Sequence, residues 1–598
     1  MPGPGLARAA AAGPSTLRAR LLVLAVSLAA AATGFMLFLQ FGSSDGLDGW
    51  DILRSLLILL STFWLAWGAA QGLIGLTTRA EAPALADRPI TGKTAILVPV
   101  YNEDPVTTFA RVAAMDASIA ATGTQASFHF AILSDTRNEA VAAREEEWFL
   151  RLIADRQAEG RIFYRRRKVN TGKKAGNIED FITRSGAAYD FALILDADSL
   201  MEGATIVEMV RRMEAAPDLG LLQSLPKVIN ASSRFGRAMQ FSASFFSPVF
   251  ARGLAMMQGR TGPFWGHNAM VRVRAFAESC GLPALRGTPP FGGHILSHDY
   301  VEAALLARAG WTVRLDDDLE GSFEEGPENI VDHAKRDRRW CQGNLQHARL
   351  VGAPGLKFWS RWVFVQGILA YIAPLFWLAF IIASVFAQIY APAPDYFPDD
   401  NWPFPVFPAD ETTKAIGLAV GIFGLLLLPK LLIAIDAWAS GRAQGFGGGG
   451  RATLSTLTEL LISSILAPIL LAYQSRSVFQ VLFGIDGGWP TNNRGDGTLT
   501  LAEAWAASGW ISVIGLVGLV CVYWLAPGLV LWLLPVVLPM ILAPVMVSWS
   551  SRDSRSGLMT VPSELAPSPV IGLHVEVLRA WLGDAARAAE PAVAPAGA

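Results

Sequence analysis

Tyr189-Asp-Phe-Ala-Leu-Ile-Leu-Asp196-Ala-Asp198 is an apolar run closed by two carboxylates one residue apart. Bounded by polar residues and about one strand long, it reads as a buried strand of a parallel sheet. Such sheets bind ligands beyond the carboxyl ends of their strands, so the two aspartates stand where a substrate would. Their hard oxygens suit Mg2+ or Mn2+, ions that sit between one or two carboxylates and the phosphates of a nucleotide. The plainer reading is a helix cap, because Asp198-Ser199 precedes the helix-period apolar positions Ile206, Val207, Val210 and Met213.

Outward from this strand, residues 91–350 alternate short apolar runs with helix-period segments, the pattern of an α/β domain. Strands are expected at 95–99, 128–133, 161–164 and 191–195, each running into polar residues. The first ends in Tyr101-Asn-Glu103-Asp104, the second in Ser134-Asp135. The third ends in the basic stretch 165–168, followed by Thr171-Gly-Lys-Lys174-Ala-Gly-Asn177. Tyr101 can stack on a base, Asp135 can accept from one, and Lys174 can neutralise phosphate. Asp135 could equally cap a helix, and the basic run could be a solvated edge.

The chain as a whole is too apolar for an ordinary soluble enzyme: 52% of its 598 residues are hydrophobic and the mean hydropathy is +0.36. A net charge of −2 gives no argument for a nucleic-acid partner, and three scattered cysteines make neither a disulfide framework nor a zinc site. Residues 1–20 read as a cytosolic segment with Arg8, Arg18 and Arg20. A transmembrane hairpin spans 21–76 and ends near Arg79, so that the domain from residue 91 is cytosolic. After residue 350, spans are expected at 362–390, 416–438, 510–525 and 529–549, within a channel domain covering 362–549, before a cytosolic tail over 550–598. The acidic loop 391–413 reads as periplasmic and the carboxyl terminus as cytosolic. The segment 457–483 is apolar, yet basic residues flank it on both sides and Pro468 interrupts it. A single crossing would break the topology, whereas a re-entrant or interfacial hairpin would keep it and place the loop 484–503 near the active site as a gate. A Phe- and Met-rich segment at 238–257 reads either as a core helix or as one lying at the membrane interface.

Seven motifs, taken in order, resemble a known family. They are Val100-Tyr-Asn-Glu103, Asp135, Lys174-Ala-Gly-Asn177, Asp196-x-Asp198, Phe264-Trp265-Gly-His-Asn268, Ser297-His-Asp299 and Arg336-Asp-Arg-Arg339-Trp340-Cys-Gln-Gly-Asn344. The family is that of the processive inverting family 2 glycosyltransferases, which includes cellulose and hyaluronan synthases. Ser297-His298-Asp299 and Arg336-x-x-Arg339-Trp340 depart from the cellulose synthases and resemble the branch that builds osmoregulated periplasmic glucans.

The resemblance implies a GT-A, Rossmann-like α/β domain inserted in a multi-span α-helical transmembrane domain of the bacterial inner membrane. It also implies UDP-glucose as donor and a growing glucan as acceptor. Asp196 and Asp198 would hold the metal, and Tyr101, Glu103, Asp135, Lys174, Asp196 and Arg339 the nucleotide sugar. Asp299 would be the general base, while Trp340, Trp265 and Arg336 would grip the acceptor. Each job has a chemical reason: a leaving diphosphate needs preorganised cations, an attacking hydroxyl needs a base within reach, and a pyranose needs a flat face. Asp299 could instead merely cap the helix expected at 300–309. The family also suggests a need for acyl carrier protein, for which this chain shows no motif.

Other clusters read as bystanders. His267, His294, His298 and His333 lack ligand spacing for zinc, Asp316-Asp317-Asp318 reads as a turn or a supporting feature, and Gly445-Phe-Gly-Gly-Gly-Gly450 lacks the Lys of a phosphate loop. Two further readings stay open: an enzyme adding one sugar to a lipid-linked acceptor, and a regulatory membrane protein with a degenerate transferase domain. The presence of both metal carboxylates, the candidate base and Arg339-Trp340 argues against degeneracy.

Overall fold

A computed structural model of the chain describes residues 14–42, 46–78, 88–391, 412–485, 497–554 and 556–589. The first thirteen residues, nearly all of the acidic loop, the middle of the loop 484–503 and the end of the tail lie outside the described residues.

The α/β part is built on a seven-stranded sheet of order β3-β2-β1-β4-β8-β6-β9. Its strands are β1 Thr94–Val100, β2 Phe128–Ser134, β3 Ile162–Arg166, β4 Phe191–Ile194, β6 Leu219–Gln223, β8 Ala269–Arg272 and β9 Thr312–Leu315. The four strands expected from sequence are β1 to β4, and they pair in parallel. Beyond them the sheet is mixed: β8 runs antiparallel between β4 and β6. Alternation along β1 sends Ile96 and Val98 into one core, with Phe109 and Met115 of the helix Pro105–Ala120. It sends Ala95 and Leu97 into the other, with Ile178 and Phe181 of the helix Lys173–Ser185. A sheet covered on both faces leaves its strand ends as the accessible edge, and the order reverses between β1 and β4, where α/β folds open a crevice.

Strands β5 Leu200–Met201, β7 Lys227–Ile229 and β10 Ser322–Glu325 form a second, three-stranded sheet. β5 displaces the helix cap proposed for Asp198: the next helix starts at Gly203, after the strand.

Six described helices are long and apolar enough to cross a membrane. Pro14–Gly42 and Gly49–Thr77 form the hairpin, followed by Phe358–Tyr390, Thr412–Ala439, Gly449–Leu482 and Leu501–Leu525. The first helix begins at Pro14, so the segment 1–20 is partly helical. Arg20 donates to the carbonyl of Met257 at 2.7 Å, and Arg252 reaches the carbonyl of Thr78 at 3.3 Å. Both outer ends of the hairpin thus touch the helix Ser247–Gln258. That helix and its neighbour Arg234–Phe245 carry the Phe-rich segment, which is core: Phe241, Phe245 and Phe246 are buried against Phe446, Ile433 and Ile462.

The span expected at 529–549 is built of two helices, Pro527–Ile541 and Ala543–Ser550, bent by 59°. One membrane expectation needs correction. Residues 457–483 form no hairpin, because a single helix runs from Gly449 to Leu482 and includes Pro468. Its 34 residues reach about 51 Å at 1.5 Å per residue. Near its start, Ser455 Oγ accepts from the amide of Met559. Near its end, Gln480 Oε1 accepts from Arg338 of the α/β part at 3.0 Å. The helix therefore lies along the junction of the two halves, and hydropathy alone cannot tell lying from crossing.

The tail folds back as the helix Pro569–Ala589, with Trp581 buried against Trp148 and bonded to Asp155 at 2.6 Å.

Candidate active site

The tips of β1 to β4, the loop before β8 and the helices His298–Arg308 and Ile330–Gln346 enclose a cleft of about 470 Å3. Every site residue named from sequence lines it: Tyr101, Glu103, Asp135, Lys174, Asp196, Asp198, Trp265, Asp299, Arg336, Arg339 and Trp340.

Past β4 the chain turns at once. The Ser199 amide donates to the Asp196 carbonyl at 3.1 Å and the Asp196 amide to Ser199 Oγ at 2.9 Å, which sets both carboxylates at the strand tip. Lys174 Nζ ion-pairs with Asp196 and donates to the carbonyl of Gly266 at 2.7 Å. Burial pushes the Asp196 carboxyl up, but Lys174, His267 and Arg336 more than offset it and hold it well below the usual carboxylate range. Asp196 is therefore an ionised oxygen donor facing the cleft. Among the described residues no group of three His, Cys, Asp or Glu could hold a metal. Two carboxylates that share an ion with nucleotide phosphates need no third, so the donor set fits Mg2+ or Mn2+.

Gly266, at φ +87°, backs onto Asp299: a Cβ there would lie 3.6 Å from Asp299 Oδ2. Gly266 is thus touched by both groups, its carbonyl by Lys174 and its α-carbon side by Asp299. Burial raises the Asp299 carboxyl, helped by Glu302 and opposed by His298 and by backbone amides. The helix starts at His298 rather than Tyr300, which places Asp299 in its first turn; Ser297, at the cap position, makes no capping hydrogen bond. His298 Nδ1 lies 3.1 Å from Glu302 Oε2, and burial, which lowers this imidazole, is outweighed by Glu302 and Asp299, which raise it.

On the β1 side the Tyr101 amide donates to Glu103, and Asn102, in the left-handed region at φ +58°, accepts from the amides of Arg137 and Asn138. Asp135 is buried and its carboxylate is gripped by Arg167. The basic stretch 165–168 is no solvated edge over its first three residues: Arg165 pairs with Asp180, Arg166 with Glu139 and Arg167 with Asp135.

The helix Ile330–Gln346 has two working faces. Arg336, Arg339 and Trp340, three and four residues apart, face the cleft, with the Arg336 guanidinium 4.5 Å above the Trp340 ring. Burial lowers the Arg339 guanidinium, while Asp196 and Asp299 raise it, so this cation sits in the field of both carboxylates. Asp337 and Arg338 face the other way, to Tyr371 at 3.2 Å and to Gln480.

Sequence reasoning gave no supporting role to four residues. Besides Arg167, fully buried Gln223 at the end of β6 accepts from the Trp265 amide at 3.0 Å and donates to the His267 carbonyl at 3.0 Å, fixing the loop before β8. Glu302 holds His298. Glu324 on β10 lies 3.6 Å from His267 and 3.9 Å from Arg336; burial raises its carboxyl, against the pull of both. The zinc reading finds no support, since His267 and His298 have carboxylate partners and His333 packs on Phe235. The Asp316 to Asp318 run is structural: Arg212 pairs with Asp316 and Asp318, and Arg252 with Asp317.

Comparison with known proteins agrees with this geometry. Residues 95–279 match the sequence model of glycosyl transferase family 2, and residues 191–394 that of glycosyl transferase family group 2. The glucans biosynthesis glucosyltransferase H of Cereibacter sphaeroides is 68% identical over 581 residues, covering 97% of this chain and 98% of that protein. The protein of the same name from Rhodopseudomonas palustris is 41% identical over 606 residues, covering 98% and 83%. A solved mannosyltransferase from Pyrobaculum calidifontis, in complex with GDP-Man and Mn2+, covers 73% of this chain with TM-score 0.44 and 15% identity, too distant to carry an argument. By the near full-length identity to the first two, this chain belongs to the glucans biosynthesis glucosyltransferase H family, within glycosyl transferase family 2.

Proposed function

We propose that this membrane protein polymerises glucose from UDP-glucose into a β-glucan with inversion, in a cytosolic domain, and passes the product across the bacterial inner membrane. The observation that supports the reading is one cleft that holds both an ionised Asp196 paired with Lys174 and a raised carboxyl, Asp299, packed against Gly266. Inversion needs both a base and a charge partner for the leaving group in one site, because the acceptor attacks one face of the anomeric carbon while the diphosphate leaves from the other.

In the proposed step an acceptor hydroxyl loses its proton to Asp299 as its oxygen bonds to the anomeric carbon, and the bond from that carbon to the β-phosphate oxygen breaks. Lys174 and Arg339 supply positive charge to the diphosphate as it takes up the electron pair. Asp196 and Asp198 would hold Mg2+ or Mn2+, whose chemistry here is charge neutralisation of the diphosphate. Tyr101 and Asp135 hold the base, Glu103 keeps the Tyr101 backbone in place, and Trp340, Trp265 and Arg336 receive the sugar chain. His298, held by Glu302, fixes the helix start that carries Asp299.

The bilayer orientation rests on the basic ends of the hairpin, both of which touch the α/β part, and on the acidic loop 391–413. The test is purified full-length protein given labelled UDP-glucose, with products sized with and without added polyprenyl phosphate. Long glucan without added lipid is the expected result. A single labelled sugar on the lipid would replace polymerisation by lipid-linked transfer.

A further inference from the structure

A second cavity, of about 700 Å3, lies among the helices Phe358–Tyr390, Gly449–Leu482 and Leu501–Leu525 and the first helix of the bent pair, and shares no lining residue with the catalytic cleft. Its size is that of a site for one organic ligand. Its walls are hydrocarbon, with side chains such as Leu378, Ile382, Ile514 and Val537. The polar exceptions gather on one stretch of the helix Gly449–Leu482: Ser475, Arg476 and Gln480. Ser475 is buried and its Oγ has no hydrogen-bond partner. Arg476 is exposed, its guanidinium lies 5.0 Å over the Trp510 ring, and it makes no ion pair among the described residues. This polar end adjoins the α/β part, because Gln480 accepts from Arg338.

These features select the occupant. A glucan here would leave most of its hydroxyls unbonded against hydrocarbon, whereas an acyl chain would not. An arginine and an unpartnered hydroxyl beside an aromatic ring, at one end of an apolar groove between membrane helices, match an anionic headgroup at the interface. We infer that this cavity binds one anionic phospholipid, its chain between the helices and its phosphate on Arg476 and Ser475. The site does not depend on the glycosyl-transfer reading. Through Gln480 and Arg338 the lipid would sit behind the helix that presents Arg339 and Trp340 to the cleft.

Cys521 provides the readout. It lines the cavity and is exposed, whereas Cys280 and Cys341 are buried. The rate of its modification by N-ethylmaleimide is measured on full-length protein in detergent, with added phosphatidylglycerol, phosphatidylcholine of the same chains, or a soluble glucan oligosaccharide. Phosphatidylglycerol should slow the reaction about fivefold more than phosphatidylcholine, the worth of one interfacial arginine. Arg476→Gln should erase that difference and Arg476→Lys should keep it, which also controls for misfolding. Equal protection by both lipids in the unmodified protein, a preference that survives Arg476→Gln, or protection by the oligosaccharide alone would overturn the assignment.

Discussion

Arg167 grips Asp135 through two parallel hydrogen bonds, Nε to Oδ1 and Nη2 to Oδ2, each 2.7 Å long. Asp135 is buried and Arg167 half-buried, and the same guanidinium reaches the carbonyls of Thr171 and Lys173. The end of β2 is thereby tied to the loop that delivers Lys174 to Asp196, so the base end and the phosphate end of the proposed nucleotide site would share one fastener.

Removing that fastener should harm the site more than removing a surface cation. Arg167→Met leaves a buried carboxylate unpaired, a defect worth about 3–5 kcal/mol in comparable pairs, and frees the turn before Lys174. Lower thermal stability together with a raised KM for UDP-glucose is the expected pattern. Arg167→Lys, which cannot make the two-pronged contact, should restore only part of either.

The phosphate end has its own signature. Asp198→Ala, and Asp196→Ala with it, should abolish transfer and weaken UDP binding in a Mg2+-dependent way, since the diphosphate loses its counter-ion. Calorimetric titration of UDP with and without chelator decides this. Nucleotide affinity indifferent to both chelator and mutation would remove the metal from these residues.

The lie of the helix Gly449–Leu482 makes a topological prediction. Because Ser455 near its start bonds to Met559 of the tail, Gln480 near its end to Arg338, and Gly497 beyond it to Asn329, periplasmic reporters inserted at Gly448 and at Gly497 should both be inactive, while one near Asp400, in the acidic loop, should be active. Activity at Gly497 alone would turn this helix into a crossing.

These contrasts also mark what the sequence could and could not disclose. Strands β1 to β4 were legible because each is an apolar run that stops at polar residues, and a parallel sheet sets all four stops on one edge. Lys174 and Asp196 could be named for the same reason, and Asp299 because it opens a helix within the motif Ser297-His-Asp299. Nothing local marks the reversal of β8, or strands of two to four residues such as β5 and β10, whose pairing is decided by distant partners. Arg167 was hidden among neighbouring arginines, and Gln223 and Glu302 do their work buried, behind the residues that meet the ligand. Only the three-dimensional partner tells such residues from ordinary ones.

Asp299 separates catalysis from binding. If its carboxylate takes the acceptor proton, Asp299→Asn keeps shape and removes basicity, so transfer should fall by a factor of about 10²–10⁴ or more. UDP affinity should stay within a few-fold, since Lys174, Arg339 and the aspartate pair are untouched. Burial raises this carboxyl, so the acid limb of the rate profile should lie above the ordinary Asp range and be absent from the residual activity of the variant. The same shift has a sign for stability. A carboxyl titrating higher folded than unfolded supports the fold only while protonated, and that support is lost as pH rises through its folded value. At neutral pH Asp299→Asn should therefore melt no lower than the unmodified protein, and higher if the buried charge is costly, with the difference vanishing in acid. A variant that lost UDP binding or melted lower, while its residual turnover kept the original pH profile, would make Asp299 a helix-start residue. The base would then have to be sought elsewhere, with Glu302, which holds His298, ahead of Asp316, which is locked by Arg212 and Arg314.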